Sequence, residues 1–254
     1  MKNRHAQFAF LLVRALRFSL FVFLSIVNFT WSQDAETQFR PALVGNGPKA
    51  LVNVVNTKRL VEKGQRDGLL MFTCHVSRWG TVGTFIVYRE TPGLKLLKEE
   101  VGHAITVCRF IPAIYNGERT NVLFAGTVVF SVNDGKPHLR IYANQNHDDI
   151  QKGNDFVAPQ VITSTPDWQV ARSELQKAKA YRQSGAVELS VTVDTNGNLK
   201  DLKVISEDPP DFGFGDSSRK TYAKAKFIPG FRNGHPVDCT FDYADYIWVH
   251  RRSH

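Results

Sequence analysis

The chain has 254 residues, a formal charge of +8 and a 43% hydrophobic composition, with 18 glycines and 11 prolines. This composition is typical of a globular protein and excludes a collagen-like, low-complexity or wholly disordered chain. Four basic residues precede the first acid, Asp34, so residues 33–254 carry 28 basic and 24 acidic side chains, a balance of +4. So small an excess gives no support to nucleic-acid binding, and we predict no nucleic-acid partner.

The N-terminal region has the pattern of an export signal. Residues 1–17 carry only positive charge, and the mostly apolar run Phe18–Phe29 follows, with small residues at Thr30 and Ser32. A basic segment, a short apolar segment and small residues before a cleavage point are typical of a secretory signal peptide. We therefore predict a signal peptide over residues 1–32. The alternative is an uncleaved membrane anchor over residues 8–29, which would bury two arginines at a cost of about 2.5–3.5 kcal/mol each.

Export would bring the cysteines into an oxidising compartment, where thiols can pair. Of the three cysteines, Cys74 and Cys108 lie in the same half of the chain and form the candidate disulfide, which leaves Cys239 alone. The alternative, three buried thiols that behave as small apolar side chains, stays open.

The first half of the chain alternates between helical and strand patterns. A hairpin turn at Asn133–Lys136 is followed by a returning strand, His138–Ala143, and then by the polar segment Asn144–Asn154, which reads as a linker. The other predicted elements are a helix near Leu51–Lys63, strands Leu69–Val76 and Val82–Tyr88, a helix Leu94–Val107 and a strand Asn121–Val132.

The second half follows the same order. Thr165 and Pro166 are typical of a helix start, and that helix is predicted to extend to about Arg182. Val187–Val193 alternates apolar and polar residues, as a half-buried strand does. The turn Asp194–Gly197 comes next. The remaining predicted elements are a strand Leu199–Ile205, a helix near Ser217–Ala225 and a last strand Val237–Val249.

A sequence block recurs between the halves. Phe110–Gly117 reappears as Phe227–Gly234, 117 residues later, with five identities in eight positions. The same offset places Gly68 on Gly185, Gly80 on Gly197 and Phe39 on Phe156. We therefore predict a tandem duplication. The shared order α-β-β-α-β predicts an α+β fold in which each copy is a three-stranded antiparallel sheet with helices packed on one face.

The repeated motifs resemble the TonB C-terminal domain. The second copy carries the resemblance through Gly185–Asp194, Gly197, Lys226–Pro229 and Asn233–Val237, and the first copy through Gly68, Val76, Gly80, Arg109–Ala113 and Asn116–Gly117. The predicted domains are a signal peptide at 1–32, a linker at 33–47, a first module at 48–143 with an extra C-terminal strand, a linker at 144–156 and a second module at 157–250.

The resemblance implies a function in the cell envelope. Members of that family transmit force or bind partners, and the best-known one pairs its sheet edge with an extended peptide of outer-membrane receptors. It implies a periplasmic or secreted protein with a protein or peptide partner, an outer-membrane receptor being one candidate. A membrane-anchored accessory of energy transduction or transport is the alternative. An energy transducer of that family needs a true membrane span and a long proline-rich spacer. The apolar run here is short, and the segment between Gln33 and Lys49 contains only two prolines, so this alternative is disfavoured. A third reading is a structural envelope protein that forms a homodimer through an open sheet edge or Cys239.

The candidate binding surface is the edge of the last strand. In the first copy the predicted strand His138–Ala143 would close the equivalent edge, whereas an unpaired edge can accept a further strand. The predicted partner-binding residues are Val237, Phe241, Tyr243, Tyr246 and Trp248; the alternative is that these side chains are core. Asp245 interrupts the apolar alternation of this strand and predicts a bulge near Ala244.

No motif for catalysis was found. The eight histidines form no HExxH pattern, and Ser131, Ser217 and Ser218 lie in no GxSxG motif. The densest polar cluster, His147–Asp149, is interpreted as a solvated loop rather than a metal site. We predict a non-enzymatic protein with no catalytic residue, no metal and no cofactor.

Overall fold

A computed structural model describes residues 38–153, 155–177 and 184–247; the predicted signal peptide lies outside these residues. The strands of the first half are β1 (Phe39–Arg40), β2 (Gly68–Val76), β3 (Val82–Glu90), β4 (Ala113–Tyr115), β5 (Glu118–Thr120), β6 (Val122–Asn133) and β7 (Lys136–Tyr142). Its helices are α1 (Leu51–Val54), α2 (Thr57–Glu62) and α3 (Lys95–Val107).

The second half begins with helix α4 (His147–Lys152) and continues with α5 (Pro166–Lys177) and α6 (Phe214–Tyr222). Its strands are β8 (Phe156–Val157), β9 (Gln160–Ile162), β10 (Gly185–Val193), β11 (Leu199–Asp208), β12 (Phe227–Ile228), β13 (Gly230–Arg232), β14 (His235–Val237) and β15 (Cys239–Ile247).

A six-stranded antiparallel sheet forms the centre of the first half. β2 lies between β3 and β6. The other edge of β6 is shared, because β7 pairs with Thr127–Asn133 and β9 pairs with Val122 and Leu123. β12 then pairs with β9, so a segment of the second half completes the sheet. This sheet has six strands rather than the four predicted, which included the returning strand His138–Ala143 (β7). The two additional strands, β9 and β12, are short segments with no local pattern that indicates their pairing.

Alternate residues of β2 and β6 build the first core against α1 and α3. Leu70, Phe72 and Cys74 on β2 pack in one cluster with Leu97 and Val101 on α3. The predicted helix Leu51–Lys63 is two helices, because the side chain of Asn56 accepts a hydrogen bond from the Arg59 N–H (3.0 Å) and starts α2 afresh.

The second half has the predicted three-stranded sheet, in the order β11-β10-β15. The alternating pattern of β10 buries Val187, Leu189 and Val191 and leaves the residues between them half-buried. Trp168 of α5 and Tyr222 of α6 pack edge to face against each other in the same core. Both helices therefore cover the apolar face of this sheet, and the α+β class is confirmed.

Two short sheets flank the larger ones, and both use residues predicted as linkers. β1 pairs with β4, and β8 pairs with β13. Phe39 contacts Tyr115 (5.6 Å between ring centroids), and Phe156 is buried in the second core. Residues 144–156 also contain α4, whose first turn is capped by Asn146. The predicted linkers 33–47 and 144–156 are thus partly structured, since their aromatic residues find partners inside the fold.

Strand pairing repeats at the same offset as the sequence block. Gly68–Val76 pairs with Val122–Phe130, and the residues 117 positions further on pair in the same register, from Gly185↔Ile247 to Val193↔Cys239. The short strands obey the same rule, since Phe39↔Tyr115 corresponds to Phe156↔Arg232.

Glycines at the two hairpin turns allow a close backbone approach. Gly80 and Gly197 have φ of 75° and 76°, and a Cβ at either position would overlap the carbonyl of Phe110 or Phe227. The N–H of each phenylalanine donates to the carbonyl of its glycine, at 3.0 and 3.2 Å. Phe110 and Phe227 are both buried.

Candidate functional site

β15 is the last strand of its sheet and pairs with β10 alone among the described residues. Its counterpart β6 differs, because β7 and β9 cover the edge that faces away from β2. The pairing of β15 with β10 continues from Cys239 to Ile247 without a register shift. The bulge predicted near Ala244 is therefore wrong.

The reason that no bulge forms is a buried ion pair. Asp245 occupies an inward position of β15 and is 2% exposed. Arg172 of α5 donates from Nη1 to both Asp245 carboxylate oxygens (2.7 and 2.8 Å), and the Ser218 hydroxyl of α6 donates to Oδ2 (2.9 Å). The carboxylate thus has partners on both helices, so the strand keeps its regular alternation with a charged group facing inward.

The charge on Arg172 is secured by this pairing. Burial alone would lower the pKa of its guanidinium, but the neighbouring Asp245 carboxylate outweighs burial and raises the pKa above its ordinary value. Burial also raises the pKa values of the Tyr222 and Tyr243 phenols beside the pair. The Arg172 guanidinium therefore keeps its charge, and the two phenols beside it stay neutral, at physiological pH.

Arg172 also shows which way the backbone of β15 faces. Its Nη2 donates to the Tyr246 carbonyl (2.7 Å), so this carbonyl points away from β10. The N–H and C=O of one residue in an antiparallel strand point to the same side and alternate along the strand. The outward groups of β15 therefore belong to Thr240, Asp242, Ala244 and Tyr246, and Arg172 occupies the last of these carbonyls.

A cleft of about 720 Å³ adjoins this end of β15; we call it the β15 cleft. Ala244, Asp245 and Tyr246 form one wall, and α5 contributes Trp168, Gln169, Arg172 and Ser173. The opposite wall comes from the first half. Its residues are Thr73 and His75 of β2, Thr84, Phe85 and Ile86 of β3, and Leu123 of β6, with Thr163 beside them. The strand end is thus flanked by a helix and by a face of the first sheet.

The predicted partner-binding residues are not all on this surface. Phe241 and Tyr243 are buried in the second core, so their side chains support the strand from inside. Val237 ends β14 and pairs with Gly230 rather than lying on β15. Tyr246 lines the β15 cleft, and Trp248 lies outside the described residues. What the edge presents is mainly backbone, with Asp242 and Tyr246 on its outer face.

Arg172, Asp245 and Ser218 are the site residues that sequence reasoning did not assign. The available signal was the acidic residue at an inward position of an apolar strand, because a buried carboxylate requires a buried cation. Which of the many arginines supplies that cation is a matter of tertiary contact between α5 and β15.

The three cysteines are free thiols in this structure. Cys74 and Cys108 are buried in the first core, and burial together with the neighbouring Cys108 raises the pKa of Cys74 well above its ordinary value. Burial raises the pKa of Cys108 and of Cys239 to about 11. The predicted Cys74–Cys108 disulfide is not formed here and stays a prediction for the oxidised protein.

Cys239 is partly exposed while Cys74 and Cys108 are buried, which predicts the order of thiol modification, and the raised pKa of Cys239 predicts its pH dependence. In the native protein Cys239 should react with iodoacetamide before the two buried cysteines, and its rate should rise about tenfold per pH unit from pH 7 to 9, because only the thiolate reacts. Mass spectrometry of the alkylated chain checks this, with Cys239→Ser as the control that removes native-state labelling. Labelling of Cys74 ahead of Cys239 would contradict it. A single reactive thiol in unreduced, denatured protein would instead establish the disulfide.

The described residues contain no cluster of three or more potential metal ligands. The cluster His147–Asp149 forms the first turn of α4, and Asp149 pairs with Arg232 (2.8 Å). No helix within 38–177 or 184–247 combines the length and apolar character that a bilayer crossing requires.

One comparison with known proteins, against family models, matches a part of the second half. Residues 176–246 match the family model described as Gram-negative bacterial TonB protein C-terminal. This stretch contains β10, β11, α6 and all but the last residue of β15, the elements of the three-stranded sheet and one of its helices. No curated protein and no solved structure gave a significant match to the chain.

Residues 176–246 are therefore a TonB C-terminal domain. The domain is similar to those of TonB-like proteins of the cell envelope, whose C-terminal domains interact with other proteins.

Proposed function

We propose that the chain is an exported, non-enzymatic periplasmic protein that binds an extended peptide segment of a protein partner by strand addition to β15. The observation that carries the proposal is the unpaired edge of this strand. The backbone N–H and C=O groups of Thr240, Asp242 and Ala244 point outward along it. An edge of this kind offers main-chain hydrogen bonds for affinity, and the walls of a neighbouring cleft can select side chains.

The arrangement of the two halves supports a division of labour. We propose that the chain is a tandem of two TonB C-terminal modules, a reading supported by the identical strand registers at an offset of 117 residues. The edge of β6 in the first module is occupied by β7 and by β9, which the second module supplies. Binding is therefore assigned to the second module, and the first module contributes a wall of the cleft.

A site-specific cross-link tests strand addition in the native envelope. A photoreactive residue at Asp242, exposed on β15, should capture a protein partner, whereas the same residue at the exposed Asp201 on β11 should not. Ala244→Pro should abolish the Asp242 adduct, because it removes an outward N–H that β10 does not use. Thermal unfolding of Ala244→Pro serves as the control for folding.

The cross-linked product also reports export. An N-terminus near Gln33 in the soluble envelope fraction is expected, and an intact Met1 in the membrane fraction would favour the membrane-anchored alternative. An adduct that persists in folded Ala244→Pro would contradict strand addition whichever N-terminus is found.

A further inference from the structure

A second surface lies at the tip of the β2–β3 hairpin. Trp79 in this turn is 66% exposed, and the Arg78 guanidinium lies 5.0 Å from the centroid of its ring. The turn itself is well defined, because the Ser77 hydroxyl oxygen accepts hydrogen bonds from the N–H groups of Trp79 (3.2 Å) and Thr81 (3.1 Å). The indole is therefore held outward on a fixed turn.

Further apolar and cationic side chains lie beside this turn. The N–H of Phe110 donates to the Gly80 carbonyl, and the N–H of Arg109 donates to the Lys49 carbonyl (2.8 Å). These bonds place the end of α3 and the residues after it next to Trp79. Val107 and Ile111 are 58% and 39% exposed. We call this surface the tip patch; it consists of Lys49, Arg78, Trp79, Val107, Arg109 and Ile111.

The tip patch has a single sign of charge. All of its residues come from three segments that contain no aspartate or glutamate, namely 37–61, 68–89 and 101–117. Lys49, Arg78 and Arg109 are exposed, and no carboxylate in the described part of the chain forms an ion pair with them. The tip patch thus combines three exposed apolar side chains with three cations that form no described ion pair.

The second half shows that the fold itself does not require these residues. Asn196 stands 117 residues after Trp79 and Lys224 stands 117 residues after Val107. Both hairpins nevertheless make the same turn, with the glycine φ at 75° and 76°. An exposed indole and an exposed valine at these positions therefore point to a surface contact rather than to folding.

We propose that the tip patch docks on a bilayer that contains anionic phospholipid. Tryptophan at the headgroup level gains from its amphipathic ring. Each Lys or Arg close to an anionic membrane surface strengthens binding by a factor of about five. Three exposed apolar side chains are few for a stable protein interface, which buries about 800 Å² on each partner, but they suit shallow insertion between headgroups.

Vesicle binding of the full chain tests the proposal. The probes are vesicles of phosphatidylcholine and about one third phosphatidylglycerol. Their acyl chains are brominated, and the bromine quenches the fluorescence of a tryptophan that enters the bilayer. The readout is the difference in fluorescence quenching between the unsubstituted chain and Trp79→Asn. Residues 1–37 are the same in both proteins, so any quenching that they cause cancels in this difference. We expect this Trp79-dependent quenching at low salt, and a partition coefficient at least about tenfold lower in Trp79→Asn.

Matched variants separate the charge from the apolar part. Lys49→Gln with Arg109→Gln should lower the partition coefficient about 25-fold, while Ile205→Asn, at an exposed apolar position of β11, should leave it unchanged. Absence of Trp79-dependent quenching with the chain folded would overturn the proposal. Equal quenching in pure phosphatidylcholine or at high salt would also overturn it, because recognition would then not depend on anionic lipid.

Discussion

Asp245→Ala should lower the free energy of unfolding by about 3–5 kcal/mol, because it leaves the Arg172 guanidinium buried without its counter-charge. The side chain of Arg172 is 21% exposed and that of Asp245 2% exposed, so water cannot replace the lost carboxylate in full. The same change removes the partner of the Ser218 hydroxyl. Guanidinium denaturation followed by circular dichroism measures the loss.

Two comparisons make this result interpretable. Asp242→Ala, on the exposed face of the same strand, should change stability by no more than about 0.5 kcal/mol. Replacing both partners, Arg172→Met with Asp245→Leu, should recover much of the loss, since a buried pair exchanged for apolar side chains is often neutral. A loss in Asp245→Ala no larger than in Asp242→Ala would show that the ion pair contributes nothing to the stability of the second half.

Gly197→Ala is expected to destabilise the protein by about 2–5 kcal/mol. A positive φ costs an alanine about 1–2 kcal/mol. The added Cβ would also overlap the Phe227 carbonyl, and moving the backbone away costs a further 1–3 kcal/mol or so. Thermal or denaturant unfolding gives the difference.

Gly234→Ala is the matched control, because Gly234 has φ 79° and open space around its Cβ position. It should cost only the backbone part, about 1–2 kcal/mol. Equal losses at the two glycines would mean that the close approach to Phe227 relaxes freely and does not constrain the hairpin.

Local patterns in the sequence predicted most of the regular elements. The alternation Val187–Val193 gave β10 almost residue by residue, and the predicted helix Leu94–Val107 is α3, which begins one residue later. The offset of 117 residues also predicted which strands correspond, and the paired registers repeat at that offset. Periodicity succeeds here because it reports burial on one face of a helix or strand, which a single segment decides.

The remaining features depend on contacts between distant segments. β9 and β12 are three and two residues long, and no periodicity can appear over such lengths. The site also depends on a contact between distant segments. Asp245 stood out in the sequence because it interrupts the apolar alternation of its strand. Its partner Arg172 lies 73 residues earlier, and no sequence feature distinguishes it from the other basic residues. The candidate edge was therefore identified, while the side chains that flank it were not.

The chain crossing at β12 has a mechanical consequence. Phe227 packs in the second core while its neighbour Ile228 packs in the first, and Ile228 is held to Gln160, whose side chain exchanges two hydrogen bonds with the backbone of Ala42. A tensile load applied to β15 by a bound peptide would therefore pass through this crossing into the first half. The two halves are thus joined at this crossing by buried side chains and hydrogen bonds as well as by the chain itself.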